Sequence, residues 1–233
     1  MVAMRKPLAC GACPVRDRAA CSALDHDQRR ELEQVGRQVT LRRGQVLFHA
    51  GDETRACATL ISGALKISSL DDAGTERILS LVHPAGFVGE MFGPVAQHEV
   101  TAIADSKLCV FPADRYEAIV DRFPNLAKAL LRRSSEDLFA SRSLIDLMGR
   151  RTALQRVAGF LRAMADAASS SPCHPAETFD LPLSRGEMAG MLGLTIETVS
   201  RQLTRLEKEG AIARKGTRGI RLLDAARLGI LAA

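Results

Sequence analysis

The chain has 233 residues, of which 46% are hydrophobic and 25% charged, a composition that is ordinary for a globular protein with room for two modest domains. No apolar run approaches the roughly 20 residues that a membrane-spanning helix needs, and no apolar core follows Arg5 and Lys6 as it would in a secretory signal. We therefore expect a cytoplasmic protein with no membrane partner. The net charge of +5 weakly favours a polyanionic partner.

The first 24 residues form a small segment rich in cysteine, arginine and alanine. Cys10, Cys13 and Cys21 lie within it, separated by two and then seven residues, and Cys109 follows in a later strand. Disulfide frameworks are rare in cytosolic proteins, whereas four thiolates can hold either a [4Fe–4S] cluster or a tetrahedral zinc ion. The spacing by itself leaves both kinds of metal site open.

The cysteines outside this segment have a simpler explanation as structural residues. Cys109 taken alone would be a small apolar side chain inside a strand, and only its three N-terminal partners favour a ligand role. Cys57 lies in an apolar strand region and Cys173 in a loop, so neither is expected to be a ligand. The five histidines show no ligand-like spacing.

Residues 25–123 predict a domain made of one helix followed by short strands. The helix is expected over Asp25–Gln38, after which β-branched runs are divided by glycines. The predicted strands are Gln45–Phe48, Thr59–Ile67, Arg77–Val82, Val100–Ala104 and Lys107–Phe111. Short strands punctuated by glycine are typical of an antiparallel barrel or double-sheet roll. A short helix around Ala113–Arg122 ends this domain.

One long helix is predicted within residues 124–150. Pro124 suits a helix start, and Asn125–Met148 contains no glycine or further proline, so nothing in it breaks a helix. Residues along one side recur at alternating spacings of four and three, which is typical of a coiled-coil seam. The seam residues are Ala127, Leu131, Ser134, Leu138, Ser141, Ile145 and Met148. The helix is expected either to pair with its twin in a homodimer or to pack on its own barrel. Two polar serines in the seam should keep the pairing weak.

The remaining residues, 151–233, are expected to form a second domain. A helix is predicted at Ala153–Ala168, followed by a loop at Ser169–Pro172. Basic residues recur from residue 149 onward, and around a nucleic-acid-binding motif such charges favour contact with phosphates. They are Arg150, Arg151, Arg156, Arg201, Arg205, Lys208, Arg214, Lys215, Arg218 and Arg221.

A helix-turn-helix pattern lies inside this domain. Ser184-Arg185-Gly186-Glu187 has the spacing of a capping box, and the helix that it starts should stop at Gly193, a residue suited to a tight turn. Thr195 can cap the next helix, which should run to Glu209. Two helices joined by a short turn that contains glycine match the motif.

The second helix of this pattern has two different faces. The apolar stripe, which should seat the helix in the core, consists of Ile196, Val199, Leu203 and Leu206. The polar stripe on the other side consists of Glu197, Ser200, Arg201 and Thr204. These side chains can read bases, because arginine donates twice to guanine and glutamate accepts from cytosine. The alternative is an ordinary solvent-facing surface. The combination of cap, turn, two faces and surrounding charge favours DNA reading.

A hairpin should follow the second helix. Ala211–Arg214 and Ile220–Leu223 flank the turn Lys215-Gly216-Thr217-Arg218, so the basic tip would lie near DNA phosphates as a wing. No nucleophile–base pair, phosphate-binding glycine loop or pair of catalytic carboxylates stands out. We therefore expect a DNA-binding regulator rather than an enzyme.

The chain resembles the Crp/Fnr family of bacterial regulators over nearly its whole length. The stretches that carry the resemblance are Gly44-Gln45-Val46-Leu47-Phe48, Ala50-Gly51-Asp52-Glu53, Ile61-Ser62-Gly63-Ala64-Leu65-Lys66 and Leu192-Gly193-Leu194-Thr195-Ile196-Glu197-Thr198-Val199-Ser200-Arg201. The resemblance implies an α+β fold: a β-barrel of the cyclic-nucleotide-binding type (a double-stranded roll), a long dimerisation helix and a C-terminal winged helix-turn-helix.

Within the family the chain looks most like the Fnr oxygen sensors. These activators bind as homodimers to palindromic sites with TTGAT-type half-sites, contact RNA polymerase, and read bases through a Glu, a Ser and an Arg, which here would be Glu197, Ser200 and Arg201. Three N-terminal cysteines and one in a strand followed by proline hold a [4Fe–4S] cluster in them. Here the cluster ligands would be Cys10, Cys13, Cys21 and Cys109. The seven-residue gap before the third cysteine departs from the best-known enteric form but is similar to that of other proteobacterial relatives.

Cyclic-nucleotide sensing is disfavoured. Members that bind cyclic AMP hold its phosphate with an arginine shortly after a Gly-Glu pair. Gly89-Glu90 is present here, but residues 91–104 contain no arginine or lysine, and a buried phosphate without a cation would be poorly compensated. The alternatives that stay open are a zinc or thiol-redox site at the cysteines and a barrel that senses nothing.

Overall fold

The computed structural model describes residues 5–72, 74–150, 152–169 and 173–233. The chain divides into two compact units, residues 1–140 and residues 141–233. Most of the predicted loop at Ser169–Pro172 and the predicted basic residue Arg151 lie outside the described residues. Among the residues that are described, no helix combines the length and the apolar composition that crossing a bilayer requires.

The N-terminal segment consists of a strand and two single turns that lead into a helix. Strand β1 covers Arg5–Pro7, short 3-10 turns cover Cys10–Ala12 and Ala20–Ala23, and helix α1 covers His26–Val35. Asp25 caps α1 through a reciprocal capping box with Gln28, which explains why the helix begins there.

The predicted extension of this helix to Gln38 is wrong. The chain leaves α1 at Gly36, where a Cβ would lie within 2.7 Å of Phe111 and Leu8 side-chain atoms. The close approach of Phe111 requires glycine at this position, and the next residues form a strand of the roll. The helix therefore ends at this tertiary contact, before the end that the sequence pattern predicts.

The first unit contains the predicted antiparallel double-sheet roll. Its further strands are β2 Arg37–Leu41, β3 Val46–Phe48, β4 Ala56–Ser62, β5 Leu65–Leu70, β6 Glu76–Val82, β7 Phe87–Val88, β8 Glu99–Ala102 and β9 Ser106–Pro112. One sheet has the order β1-β2-β9-β4-β7 and the other β3-β8-β5-β6. Apolar side chains from both sheets, among them Leu60, Leu65 and Leu108, form one buried cluster between them.

The single strand predicted at Thr59–Ile67 is in fact two strands in different sheets. Gly63 separates β4 from β5 with a φ of +95°, a conformation that glycine adopts at low cost. A Cβ at Gly63 would also lie 2.3 Å from the hydroxyl of Ser106. The turn therefore moves the chain from one sheet to the other at this glycine.

Two helices follow the roll. Helix α2 covers Ala113–Arg122, as predicted, and α3 covers Pro124–Arg150, which confirms the single long helix. Leu126 and Leu130 on α3 are buried and join a cluster with residues of α2 and β4. One face of α3 thus packs on the first unit.

The second unit is a winged helix-turn-helix, as the sequence predicts. Its elements are α4 Ala153–Ala168, β10 Thr178–Asp180, α5 Arg185–Leu192, α6 Ile196–Lys208, β11 Ile212–Lys215, β12 Gly219–Leu222 and α7 Ala225–Ala232. The sheet order is β10-β12-β11. Strand β10 and helix α7 are absent from the sequence prediction, because three and eight residues show no clear period. Helix α5, also of eight residues, is predicted from its capping box instead.

Candidate nucleic-acid interface and cysteine site

The predicted helix-turn-helix signals are confirmed in local geometry. The Ser184 hydroxyl accepts from the Glu187 N–H at 3.2 Å, and the Glu187 carboxylate accepts from the Ser184 N–H at 2.7 Å. Gly193 ends α5 in the left-handed conformation with a φ of +61°. The Thr195 hydroxyl accepts from the Thr198 N–H at 3.2 Å and so caps α6. The second helix therefore leaves the turn in a defined direction.

One side of α6 lies in the core of the second unit. Val199, Leu203 and Leu206 are at most 2% exposed, as the apolar stripe predicts. Ile196 is 51% exposed, so the prediction that it belongs to the buried stripe is wrong. It is the first residue of the helix, and α5 opposes it with Gly186, which has no side chain. The buried stripe begins one turn later.

The opposite side of α6 presents the predicted base-reading residues. Glu197 and Arg201 are exposed and Ser200 is half-buried. The Glu197 backbone N–H and the Thr195 hydroxyl hold the pKa of the Glu197 carboxyl below its usual value, so this residue is an acceptor at neutral pH. The Thr204 hydroxyl donates to the Ser200 carbonyl at 3.1 Å, which occupies its proton within the helix.

Arg185 is a basic residue of this surface that sequence reasoning used only as part of a capping box. Its guanidinium donates to the Ser200 hydroxyl at 3.4 Å, so it lies beside the polar stripe. It also lines a concave surface with Thr217, Arg218 and Ser184 between α5 and the wing. The sequence signal for its place on this surface is its position in the first turn of α5, next to a capping serine.

The wing is attached to α6 by an ion pair. The Glu207 carboxylate accepts from the Arg214 guanidinium at 2.8 and 2.5 Å and from the Arg214 N–H at 3.1 Å. Gly216 has a φ of +65° at the tip between β11 and β12. Lys215 and Thr217 next to it are thereby held at the end of a short hairpin.

The four predicted ligand cysteines come together in the first unit. Cys10, Cys13 and Cys21 of the N-terminal segment and Cys109 of β9 line one cavity. Each of these four is a free thiol. Cys57 is fully buried beside Tyr116 and does not line the cavity, and Cys173 is exposed in the second unit. The structure thus separates these two from the four.

The four thiols are close enough to influence one another's ionisation. Burial raises the pKa of Cys109, and the neighbouring thiols of Cys13, Cys10 and Cys21 raise it further. Burial also raises the pKa of Cys10 to about 11, with Glu33 as the next cause. Each thiolate would repel the others in the absence of a cation. Such a set of thiols favours the binding of a positively charged group that neutralises the thiolates together.

The donor set fits an iron–sulfur cluster. Within the described ranges, no group of three or more His, Cys, Asp or Glu side chains is arranged to hold a metal ion. A [4Fe–4S] cluster is larger than a single ion, so its ligands stand farther apart around it. Four soft thiols that line a common cavity match the ligands of such a cluster in number and chemistry.

The large apolar residues of the predicted seam of α3 are exposed in the single chain, whereas Ala127 packs against the first unit. Leu131 is 69%, Leu138 51% and Ile145 65% exposed. Of the smaller or polar seam residues, Ser134 is exposed, and Ala127, Ser141 and Met148 are half-buried. Phe139, which the seam prediction missed, is 73% exposed next to Leu138. An exposed apolar stripe of this kind on a polar helix favours a protein partner.

The chain matches two family models. The model of the cyclic nucleotide-binding domain covers residues 38–123, and that of the Crp-like helix-turn-helix domain covers residues 155–230. The "Transcriptional activator protein FnrL" of Cereibacter sphaeroides is 35% identical over 94% of this chain and 90% of that protein. The "Nitrogen fixation regulation protein FixK" of Bradyrhizobium diazoefficiens is 34% identical over 96% and 94%.

A solved structure has the same fold. The structure of FixK2 from Bradyrhizobium japonicum superimposes with a TM-score of 0.77 at 28% identity and covers 85% of this chain and 98% of that one. The roll, the long helix and the winged helix-turn-helix are therefore accounted for by one known architecture. The chain belongs to the Crp/Fnr family of DNA-binding transcription regulators, which are not enzymes.

Proposed function

We propose that the chain is an Fnr-type activator that binds palindromic DNA as a homodimer and senses oxygen through a [4Fe–4S] cluster held by Cys10, Cys13, Cys21 and Cys109. The observation that carries this proposal is the cavity that these four thiols line. The names of relatives agree with it: the "Transcriptional activator protein anr" of Pseudomonas aeruginosa and the "Anaerobic regulatory protein" of Haemophilus influenzae are 31% and 28% identical to this chain.

DNA reading is assigned to the outer side of α6. Arg201 would donate to guanine O6 and N7, Glu197 would accept from cytosine N4, and Ser200 would contact a neighbouring base of a TTGAT-type half-site. Thr195 fixes the helix start, and Thr204 is the least available of the predicted contacts because its proton is already donated. Arg185 beside Ser200 adds a phosphate contact.

The cysteine segment packs on the roll through a small apolar cluster. Val15 and Ala19, between the cysteines, are buried against Ala85. When bound, the [4Fe–4S] cluster would supply an oxygen-labile link among the four thiols. The residues of this chain would then hold the segment on Ala85 for as long as the thiols stay together, and release it afterwards.

A hydrogen bond connects this contact to the long helix. The Ala85 carbonyl accepts from the Arg133 guanidinium at 3.1 Å, and Arg133 also pairs with Glu136 one turn farther along α3. Arg133 precedes the seam residue Ser134. A shift of the segment would thus change the position of a side chain that is anchored beside the seam.

Pairing along the seam would complete the DNA-binding form. The exposed leucines and isoleucine favour association, whereas Ser134 and Ser141 keep it marginal, so a change of about 1.4 kcal/mol would shift the dimer equilibrium tenfold. Two recognition helices would then lie about 34 Å apart, one turn of DNA. RNA polymerase is the further partner that activation requires.

The roll is not proposed to bind a cyclic nucleotide. The Glu90 carboxylate accepts from the Gln97 N–H at 3.0 Å and lies 3.5 Å from His98, so its own loop already uses it. Residues 91–104 supply no arginine or lysine for a phosphate.

The metal is tested by anaerobic purification of the full chain. We expect about four iron and four acid-labile sulfide per chain, a visible absorption band, and loss of both in air. Zinc without sulfide would contradict the cluster and support a zinc site instead. Thiol oxidation without metal would likewise support a thiol-redox site. Cys109→Ser should abolish the cluster, whereas Cys173→Ser should leave it intact.

DNA reading is tested with two arginines one turn apart on α6. Arg201→Ala should reduce discrimination between a TTGAT palindrome and a scrambled duplex at least fivefold, since a bidentate contact to guanine contributes about 1–3 kcal/mol. Arg205→Ala removes the same charge from a side chain that pairs with Glu209 and should weaken binding to both duplexes equally. Equal effects of the two variants on discrimination would refute the base-reading role.

A further inference from the structure

Helix α1 holds both ends of the cysteine segment with two charged side chains one turn apart. The Arg29 guanidinium donates to the Leu24 carbonyl at 2.6 Å and to the Cys21 carbonyl at 3.4 Å. The Glu33 carboxylate accepts from the Cys10 N–H at 3.1 Å. Both side chains are half-buried, so these bonds are partly shielded from water. The first and the third cysteine are thus attached to the same helix.

The two side chains act on the thiols with opposite signs. Arg29 lines the cavity and favours negative charge on Cys10 and Cys21, whereas Glu33 disfavours it on Cys10. Among the described residues that line the cavity, Arg16 is the other cation, but it pairs with Asp17 at 3.1 Å and donates to the Gly11 carbonyl. Arg29 is therefore the cation best placed to compensate charge on the segment.

We propose that Arg29 and Glu33 are positioning residues of the cysteine site: both hold the segment on α1, while their charges set the lifetime of the bound group in opposite directions. The inference rests on the proposed cluster. Four thiolates give the loaded site a net negative charge, which a half-buried guanidinium stabilises and a half-buried carboxylate destabilises. Neither residue is a ligand, and each acts through the cysteine backbone and the local field.

Matched substitutions separate the two roles. Glu33→Gln keeps an oxygen that accepts from the Cys10 N–H but removes the charge, whereas Glu33→Ala removes both. Arg29→Lys keeps the charge but cannot bridge two carbonyls as the planar guanidinium does, and Arg29→Gln removes the charge and the bridge. Circular dichroism of each full-length variant shows whether the roll and helices remain folded.

The holding role is measured on the metal-free full chain by limited trypsin digestion. Arg18 is exposed between Cys13 and Cys21, and mass spectrometry quantifies cleavage after it. Arg29→Gln, Arg29→Lys and Glu33→Ala should accelerate this cleavage about tenfold, the effect of about 1.4 kcal/mol on local opening, whereas Glu33→Gln should match the parent chain. Unchanged cleavage in both Arg29→Gln and Glu33→Ala would overturn the holding role.

The charge role is measured on anaerobically loaded protein by iron and sulfide content and by the rate of bleaching in air. Arg29→Gln should bleach several-fold faster than the parent chain, and Glu33→Gln several-fold more slowly. Changes of the same sign in these two variants, or no change in either, would overturn it. If the parent chain holds no iron or sulfide, the proposed function and the charge role fail together, while the trypsin result still decides the holding role.

Discussion

At the scale of single residues, the backbone conformation at a glycine decides whether its replacement stabilises or destabilises the protein. Gly193 ends α5 with a φ of +61°, whereas Gly190 lies within the same helix and a Cβ there would meet nothing within 4 Å. The same chemical change should therefore have opposite effects at two positions three residues apart.

Gly193→Ala should destabilise the second unit by about 1 kcal/mol, because alanine resists the left-handed conformation. Gly190→Ala should stabilise it by up to about 1 kcal/mol through helix propensity. Both are measured as changes in the free energy of unfolding by urea titration. Destabilisation by both substitutions would contradict this account of the turn.

His83 should make the first unit sensitive to acid. Burial lowers its pKa from 6.5, so the folded protein binds this proton less readily than the unfolded chain. The stability that it contributes is therefore present above pH 6.5 and is lost as the pH falls below that value, by at most about 1.4 kcal/mol per pH unit. Urea titrations at pH 7 and pH 5.5 should show that the free energy of unfolding falls less between these pH values in His83→Leu than in the parent chain. His174→Leu, which changes an exposed histidine of the second unit, serves as the control and should lose as much stability as the parent chain.

At the scale of elements, α3 carries two kinds of apolar side chain. Leu126 and Leu130 are buried on the first unit, and Leu131, Leu138 and Ile145 are exposed. Periodicity reveals the exposed seam but leaves a partner helix and the roll equally possible. Because Leu126 and Leu130 make the buried contact with the first unit, we propose that the exposed residues pair with a second copy.

Substitutions in the seam should change dimerisation in opposite directions. Ser134→Leu should strengthen self-association at least tenfold, since burying a leucine contributes about 1.5–3 kcal/mol, and Leu138→Asp should weaken it by a similar factor. Sedimentation equilibrium measures both. Ser143→Leu adds the same side chain at an exposed position off the seam and should have little effect; an equal gain there would point to non-specific association.

At the scale of the whole molecule, the Arg133 guanidinium of α3 donates to the carbonyl of Ala85 in the roll, and Val15 and Ala19 of the cysteine segment pack against the same residue. Arg133→Met keeps the length of the side chain and removes the donor. We expect it to retain the iron and sulfide of the parent chain but to reduce the change in DNA affinity between anaerobic and air-exposed protein. The reduction should be about tenfold or more, since a charged hydrogen bond contributes about 1.5–3 kcal/mol.

Arg132→Met is the matched control, because Arg132 is the exposed neighbour of Arg133 on α3 and carries the same charge. Fluorescence anisotropy with a TTGAT duplex compares the two variants. If Arg132→Met reduced the oxygen response as much as Arg133→Met, net charge rather than this contact would explain the effect.

Local signals in the sequence determined the two-unit architecture of this protein. The capping box at Ser184, the glycine turn at Gly193 and the stretch without helix breakers that forms α3 are each local features of the sequence, and each is present in the structure as predicted. The two faces of α6 follow from the same helical period, apart from Ile196, whose exposure depends on the glycine that opposes it.

Only the tertiary structure decided contacts between residues far apart in the chain. The ends of α1 and β4 depend on Phe111 beside Gly36 and on Ser106 beside Gly63, and the sequence contains no local mark of either approach. The gathering of Cys109 with three cysteines about a hundred residues earlier, and the bonds of Arg29, Glu33 and Arg133 to distant backbone groups, likewise arise from packing. The periodicity of hydrophobic residues reports on neighbours along the chain, whereas these sites form only when distant residues come together in the folded protein.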